Sequence, residues 1–242
     1  MVDVTPNITL LPEHHPEPTP VSNKRTPEEF ERLAKLHDSF KPFWLTETIQ
    51  LAPWQHTDQD KDTLIEYLND PNIYRWLIGP PNPYLSSDAD NWLSGRVDRM
   101  TKKGTPLAYA IRDMTKGGKA VGCVAVSDES DDILTGDDVG YWLSPEYHGQ
   151  GLMARALKLI LQEVAIKEVG KRKFNSHAFA GNWASRKTLE KAGFVHQPHM
   201  TMKFGRNGEE IDLWVMRLYL TEEDVSKREV MVEATPLPSL VQ

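Results

Sequence analysis

The chain has 242 residues, 39% of them hydrophobic, with a formal net charge of −7 and a pI near 5.6. That length suits one large domain, or one domain with tails, and the acidic balance argues against a nucleic-acid binder, which would carry a basic face. A single cysteine, Cys123, excludes a disulfide framework or a cysteine zinc cluster within one chain.

Taken in chain order, residues 1–26 hold five of the 17 prolines among Glu, His and Thr. Such a segment buries too little apolar surface to offset its ordering entropy, so disorder is expected. It shows no apolar signal core, and no run in the chain approaches the ~18 apolar residues of a membrane span. A cytoplasmic protein without membrane contact is therefore expected. Thr26-Pro27-Glu28-Glu29 supplies a cap, a first-turn proline and acids at the positive dipole end. It predicts a helix to about Ser39, within an extension over 27–44 that packs outside the core domain. Residues 48–51 read as a strand, stopped by Pro53. Asp58 is expected to cap a helix reaching Leu68, ended by Asn69-Asp70-Pro71. A helical turn over 73–77 and a proline-rich loop over 79–83 follow. Ser86 or Ser87 starts a further helix, with Trp92, Leu93, Val97 and Met100 at helical spacing.

Strand signals then recur at 107–112, 120–127 and 139–143, joined by Gly-, Asp- and Ser-rich turns that favour antiparallel hairpins. Cys123 is expected to be buried in the second of these. The acidic stretch 128–138 reads as a solvated loop. Residues 151–169 form a helix that is apolar on most sides and must be buried against a sheet. A strand at 173–179, a helix at 184–192 closed by Gly193, and strands at 194–204 and 211–220 around a turn at 205–208 complete the pattern. There is no internal repeat. The order implies a mixed α/β or α+β domain with a mainly antiparallel central sheet flanked by helices. It spans 45–222, and 223–242 is an extension with a loose tail.

The most informative stretch is 139–154, Val-Gly-Tyr-Trp-Leu-Ser-Pro-Glu-Tyr-His-Gly-Gln-Gly-Leu-Met-Ala. A strand ends at Leu143, a Ser-Pro turn follows, and Gly149 and Gly151 open a long helix. Free backbone N–H groups thus collect at the positive end of a helix dipole, a place that binds phosphate oxygens without a basic side chain. Two spaced glycines match neither the three-glycine dinucleotide fingerprint nor a nucleotide P-loop.

This stretch, with Asn182-Trp-Ala-Ser185 and Leu189-Glu-Lys-Ala-Gly193-Phe194 about 30 residues on, resembles the GNAT superfamily of acetyl-CoA-dependent N-acetyltransferases, and within it the RimJ/RimL branch. The resemblance implies a GNAT-type acyl-CoA N-acyltransferase fold, with acetyl-CoA as co-substrate and no metal. It implies a pyrophosphate site at His148, Gly149, Gln150, Gly151, Leu152 and Met153. The chain departs from the family pattern at His148 and at Met153, where a small residue is usual. Arg155, in the first turn, is either a surface residue or a contact to a CoA phosphate. The acetyl oxygen is expected at a backbone N–H at Trp142 to Leu143, where the strand end is splayed and Pro145 cannot extend the ladder.

Many relatives protonate the leaving thiolate with a tyrosine, but the matching position here is Glu190. The branch points instead to Ser185, with Asn182 holding the pantetheine arm or simply capping its helix. Asp138 is the expected carboxylate on the acceptor side, acting through water or by attracting the ammonium. His177 is the weaker alternative, and the remaining histidines suggest no metal spacing. The acceptor is expected to be a small-molecule amine or amino acid, with a protein N-terminus as the alternative and a non-catalytic CoA sensor as the third reading. Loops at 78–85, 128–137 and 203–210 would line its pocket, and a monomer or homodimer is expected.

Overall fold

The short apolar runs bounded by glycine and aspartate become strands because they are too short to bury a helix face and are rich in β-branched or aromatic residues. The computed structural model describes residues 8–11, 26–127, 137–206 and 209–226. Its strands are β1 (Ile8–Leu11), β2 (Phe43–Trp44), β3 (Ile49–Pro53), β4 (Ala108–Asp113), β5 (Lys119–Val126), β6 (Asp137–Leu143), β7 (Lys173–Phe179), β8 (Val195–Arg206) and β9 (Glu209–Tyr219). They form one sheet in the order β1-β8-β9-β7-β6-β5-β4-β3-β2. All neighbours are antiparallel except β1–β8 and β6–β7. The mixed, mainly antiparallel architecture is thus as expected.

The helices are α1 (Pro27–Ser39), α2 (Asp58–Leu68), α3 (Pro71–Tyr74), α4 (Ser86–Lys103), α5 (Leu152–Leu159) and α6 (Trp183–Ala192). Strand alternation divides the core in two. On one face, Trp54, Ala108, Ala110 and Cys123 pack with Leu64, Leu68 and Leu93 of α2 and α4. On the other, Val139, Leu143, Phe174 and Met216 pack with Ala156, Leu157, Ile160 and Leu189 behind α5 and α6. Cys123 is buried as expected, and burial pushes its thiol up to about 11.

The first face carries a buried ion pair. Arg112 donates from Nη1 to Asp60 Oδ1 (2.7 Å) and from Nη2 to Oδ2 (2.8 Å). The guanidinium also donates to the carbonyls of Pro53 and Gly118, and Asp60 accepts the Gln55 N–H. One cluster thereby ties α2 to β3, β4 and the start of β5.

Several expectations are corrected. The first strand runs on to Pro53 and gains β2 as a partner. Asp137 and Asp138 lie within β6 rather than in a solvated loop. Asp137 can be buried there because Lys171 Nζ reaches its Oδ1 at 2.6 Å; residues 128–136 lie outside the described residues. The long helix is α-helical only to Leu159 and then widens into a π-helical turn over Ile160–Ile166. The closing hairpin is longer than read, with strand through Arg206 and again from Glu209. The expected disorder of 1–26 is interrupted by β1, whose apolar Ile-Thr-Leu-Leu run pairs with the otherwise open edge of β8. The rest of 1–25, and 227–242, lie outside the described residues.

Removing one member of the buried pair leaves the other charge uncompensated, which typically costs about 3–5 kcal/mol. Asp60→Ala and Arg112→Ala should each lower the urea-unfolding stability by that order, and the double variant should lose clearly less than the sum. Additive losses would show that the pair is not coupled.

Candidate active site

The parallel β6–β7 pairing lasts for two residue pairs, Asp137↔Phe174 and Asp138↔Asn175. Ser176 Oγ then donates to the Val139 carbonyl at 2.7 Å, and beyond that bridge the strands part. On the other side β6 stays paired to β5 as far as Leu143. Ser127 N–H bonds Asp138 O and Ser144 N–H bonds Val121 O, which fixes the alternation between them. The backbone groups of residues 138, 140 and 142 turn to β5, and those of 139, 141 and 143 turn to the opening. Trp142 therefore has no free N–H for a ligand, and its ring packs on Tyr67 and Trp54. The amides that face the opening belong to Tyr141 and Leu143. Leu143 was an expected site, whereas Trp142 reaches it only as a wall.

The loop from β6 to α5 closes one end of this opening. Gly149 and Gly151 have φ values of 76° and 73°, a left-handed conformation that costs other residues strain. A Cβ added at either would meet open space. The N–H groups of 149–153 have no turn or cap partner among the described residues, as befits a helix start. Leu152 and Met153 send their side chains into the core, so the loop presents backbone alone at those positions. His148 is exposed; its Nε2 lies 2.9 Å from the Leu143 carbonyl and holds the loop to the strand end. Gln150 Nε2 donates to the Glu146 carbonyl. Arg155 Nη1 donates to the Leu45 carbonyl and ties α5 to the turn after β2. The cluster of unpaired amides at the positive end of a helix is suited to the pyrophosphate of CoA.

The start of α6 lies on the same face. Asn182 Oδ1 accepts the Ser185 N–H at 3.1 Å, which is the capping role foreseen for it. Ser185 Oγ lies 2.8 Å from the Tyr141 hydroxyl, which also reaches the Ser185 carbonyl at 3.1 Å. Burial raises the Tyr141 phenol above its ordinary pKa, so it stays protonated, although the bond to Ser185 opposes the shift. Tyr141 was missed in the sequence. The signal was present: residues 139, 141 and 143 share a strand face, and an apolar residue is expected between Val139 and Leu143.

The opposite face carries the other group of polar residues. His177 Nδ1 lies 3.7 Å from Asp138 Oδ1. The Asp138 side chain is 65% exposed, yet the surrounding protein desolvates it enough to raise its carboxyl, against the attraction of His177. Trp76 packs on Phe179, and Ile78 and Leu213 complete a small apolar cluster beside it. Asp138 and Ser185 thus lie on opposite faces of the sheet, with the opening between them.

A model of the acetyltransferase (GNAT) domain matches residues 49–195. The ribosomal N-acetyltransferase candidate YdaF of Bacillus subtilis strain 168 is 23% identical over 150 residues, 62% of this chain and 78% of that protein. Among solved structures, the ribosomal-protein-S5-alanine acetyltransferase of Vibrio fischeri superposes with a TM-score of 0.62 at 20% identity, covering 76% of this chain and 98% of that one. RimJ of Mycobacterium smegmatis, in complex with CoA-disulfide, gives 0.60 at 18% identity, covering 80% and 93%.

Gly122 of β5 is the tightest point behind the opening. A Cβ there would lie 2.8 Å from Leu143 Cδ1 and 2.9 Å from the Trp142 carbonyl oxygen. Gly122→Ala should push β6 outward, cost about 1–3 kcal/mol as an overpacked site, and lower acetyl transfer more than ligand-free folding. Unchanged transfer in a stable variant would show that the position of Leu143 is not limiting.

Proposed function

The chain belongs to the GNAT acetyltransferase family, and from that membership we propose that it transfers the acetyl group of acetyl-CoA to the α-amino group of a polypeptide. One observation carries the reading: β6 and β7 separate after two residue pairs, beside a helix start with unpaired amides. The named relatives that act on ribosomal proteins favour a polypeptide over the small amine first expected. The chemistry agrees, because a terminal α-amine has a pKa near 8 and needs less help from a base than a lysine near 10.4.

Acetyl-CoA supplies an acetyl group already activated as a thioester. The amides of 149–153 would hold its pyrophosphate, and the Asn182 side chain, whose Nδ2 has no partner among the described residues, would hold the pantetheine arm. The Leu143 N–H points where negative charge grows on the acetyl oxygen. Ser185 delivers a proton on the thiol side, with the Tyr141 hydroxyl, which donates to the Ser185 carbonyl, 2.8 Å from its Oγ. Asp138, on the other face, attracts the incoming ammonium. The departures at Met153 and Glu190 do not argue for a non-catalytic sensor. Met153 does not crowd the loop, and Tyr141 brings a second hydroxyl to the place where Glu190 left none.

Thiol release from acetyl-CoA, followed over peptides with free or blocked N-termini, amino acids and polyamines, tests the reading. Turnover is expected on free α-amines and not on blocked peptides that retain lysine. Turnover confined to small amines would replace the acceptor, and binding without turnover would revive the sensor. Gly151→Glu should abolish acetyl-CoA binding in calorimetry, since it puts a strained, charged side chain among the phosphate amides. Ser185→Ala should lower kcat by about 10²-fold, the usual scale for losing a general acid, with the KM for acetyl-CoA nearly unchanged. The helix cap survives this change because it uses the Ser185 backbone N–H.

A further inference from the structure

We infer that His177, with Asp138 as its positioning partner, takes the proton that the acceptor's ammonium must lose. The inference rests on the acyl-transfer reading above and names a second catalytic residue for it.

The placement comes from the sheet. His177 lies two residues past Asn175 and Gly140 two past Asp138, the last paired residues, so the two flank the mouth of the opening. Gly140 contributes no side chain, and a Cβ there would meet open space, so nothing on β6 stands between the imidazole and the gap. His177 shares its strand face with Phe179, away from the α5 and α6 face that carries Ser185 and Tyr141. A base on one face and an acid on the other are what an amine attacking a thioester from opposite sides of a splayed sheet requires.

The chemistry favours the imidazole over the carboxylate. An imidazole, ordinarily near 6.5, is intrinsically closer to an ammonium near 8 than a carboxylate near 4, although burial raises Asp138 and lowers His177 and so narrows that difference. Nδ1 faces Asp138, which favours the tautomer with its proton there and leaves Nε2, unpartnered among the described residues, as the basic nitrogen. The charges acting on the ring are Asp138 on β6 and Arg217 on β9; Val215 is its cross-strand neighbour. Asp137 faces the other side, held by Lys171. Burial first, then Arg217, lowers the His177 pKa, and Asp138 raises it in part. The ring is therefore neutral, and able to accept a proton, above a pKa that lies under 6.5. In the step, an N–H bond of the ammonium breaks and an Nε2–H bond forms. The amine keeps its electron pair for the acetyl carbon, and the imidazolium, next to the Asp138 carboxylate, later returns its proton to water.

The test is the pH dependence of kcat at saturating acetyl-CoA and peptide, in the wild type, His177→Gln and Asp138→Asn, with the His177 imidazole titrated by NMR in the wild type and Asp138→Asn. Wild-type kcat should fall as pH drops through a value below 6.5. His177→Gln should lose about 10²-fold in kcat, and its remaining activity should rise only as the acceptor itself deprotonates near pH 8. Asp138→Asn should move the wild-type limb, and the imidazole titration, to lower pH. A His177→Gln enzyme that keeps kcat and the same limb overturns the assignment. If peptides are not turned over but a small amine is, the acceptor reading fails alone, and the same comparison on that amine decides His177. If no amine is turned over, an imidazole that titrates normally and ignores Asp138→Asn overturns the pairing.

Discussion

The site depends on one constraint, the abrupt end of the β6–β7 ladder. In a continued sheet the amides of Tyr141 and Leu143 would be spent on β7. Left open in the middle of a domain, they are costly groups that call for a partner. The parting is held from both sides. At the closed end, Ser176 bridges to Val139 and Lys171 fixes Asp137. At the open end, β5 grips β6 through Gly122, where only a missing side chain lets Leu143 and the Trp142 carbonyl lie so close. The opening is therefore built into the strands rather than formed when a ligand arrives.

The rest of the fold sorts chemistry onto the two faces of that opening. Parallel strands need crossover connections, and α5 supplies the one between β6 and β7. That connection, with α6 after β7, brings both helix starts to the same edge of the sheet, where the amides of 149–153 are unpaired and the first turn of α6 is capped by Asn182. The other face is left to β7, β9 and the loop that carries Trp76. Helices α2 and α4 occupy the neighbouring part of it, anchored through the Arg112–Asp60 pair to β4. In the proposed reaction a proton is thus taken on one side of the sheet and given on the other, so that the donor and acceptor groups do not neutralise each other.

Much of the architecture was legible because it rests on local signals. Periodicity found the strands and helices, and Thr26, Asn182 and Gly193 marked helix ends through chemistry confined to a few residues. What was not legible depends on partners far away in sequence. Asp137 reads as solvated until Lys171, 34 residues on, is brought to it. Phe43-Trp44 is too short to read as a strand until β3 offers an edge. The strand at Ile8–Leu11 lies in a proline-rich setting that composition alone assigns to disorder. The site shows the same division. The glycine loop before α5 and the Asn182–Ser185 cap could be read from spacing, but Tyr141 reads as a core residue, and its hydroxyl finds Ser185 only across the fold.

The three departures from the family pattern, His148, Met153 and Glu190, look like losses in sequence but are each answered by geometry. Met153 is bulky, but at the second position of α5 its side chain points into the core, so its size never reaches the loop. Glu190 accepts from Arg186 Nε, 2.9 Å away along the same helix. His148 has the most direct consequence. The Leu143 carbonyl would otherwise face the opening beside the Leu143 N–H, placing an acceptor next to that donor. The imidazole Nε2 covers that oxygen. The strand end then presents a donor without a competing acceptor, next to a helix start that presents only donors. The strand end and the helix start together therefore favour an anion through backbone donors.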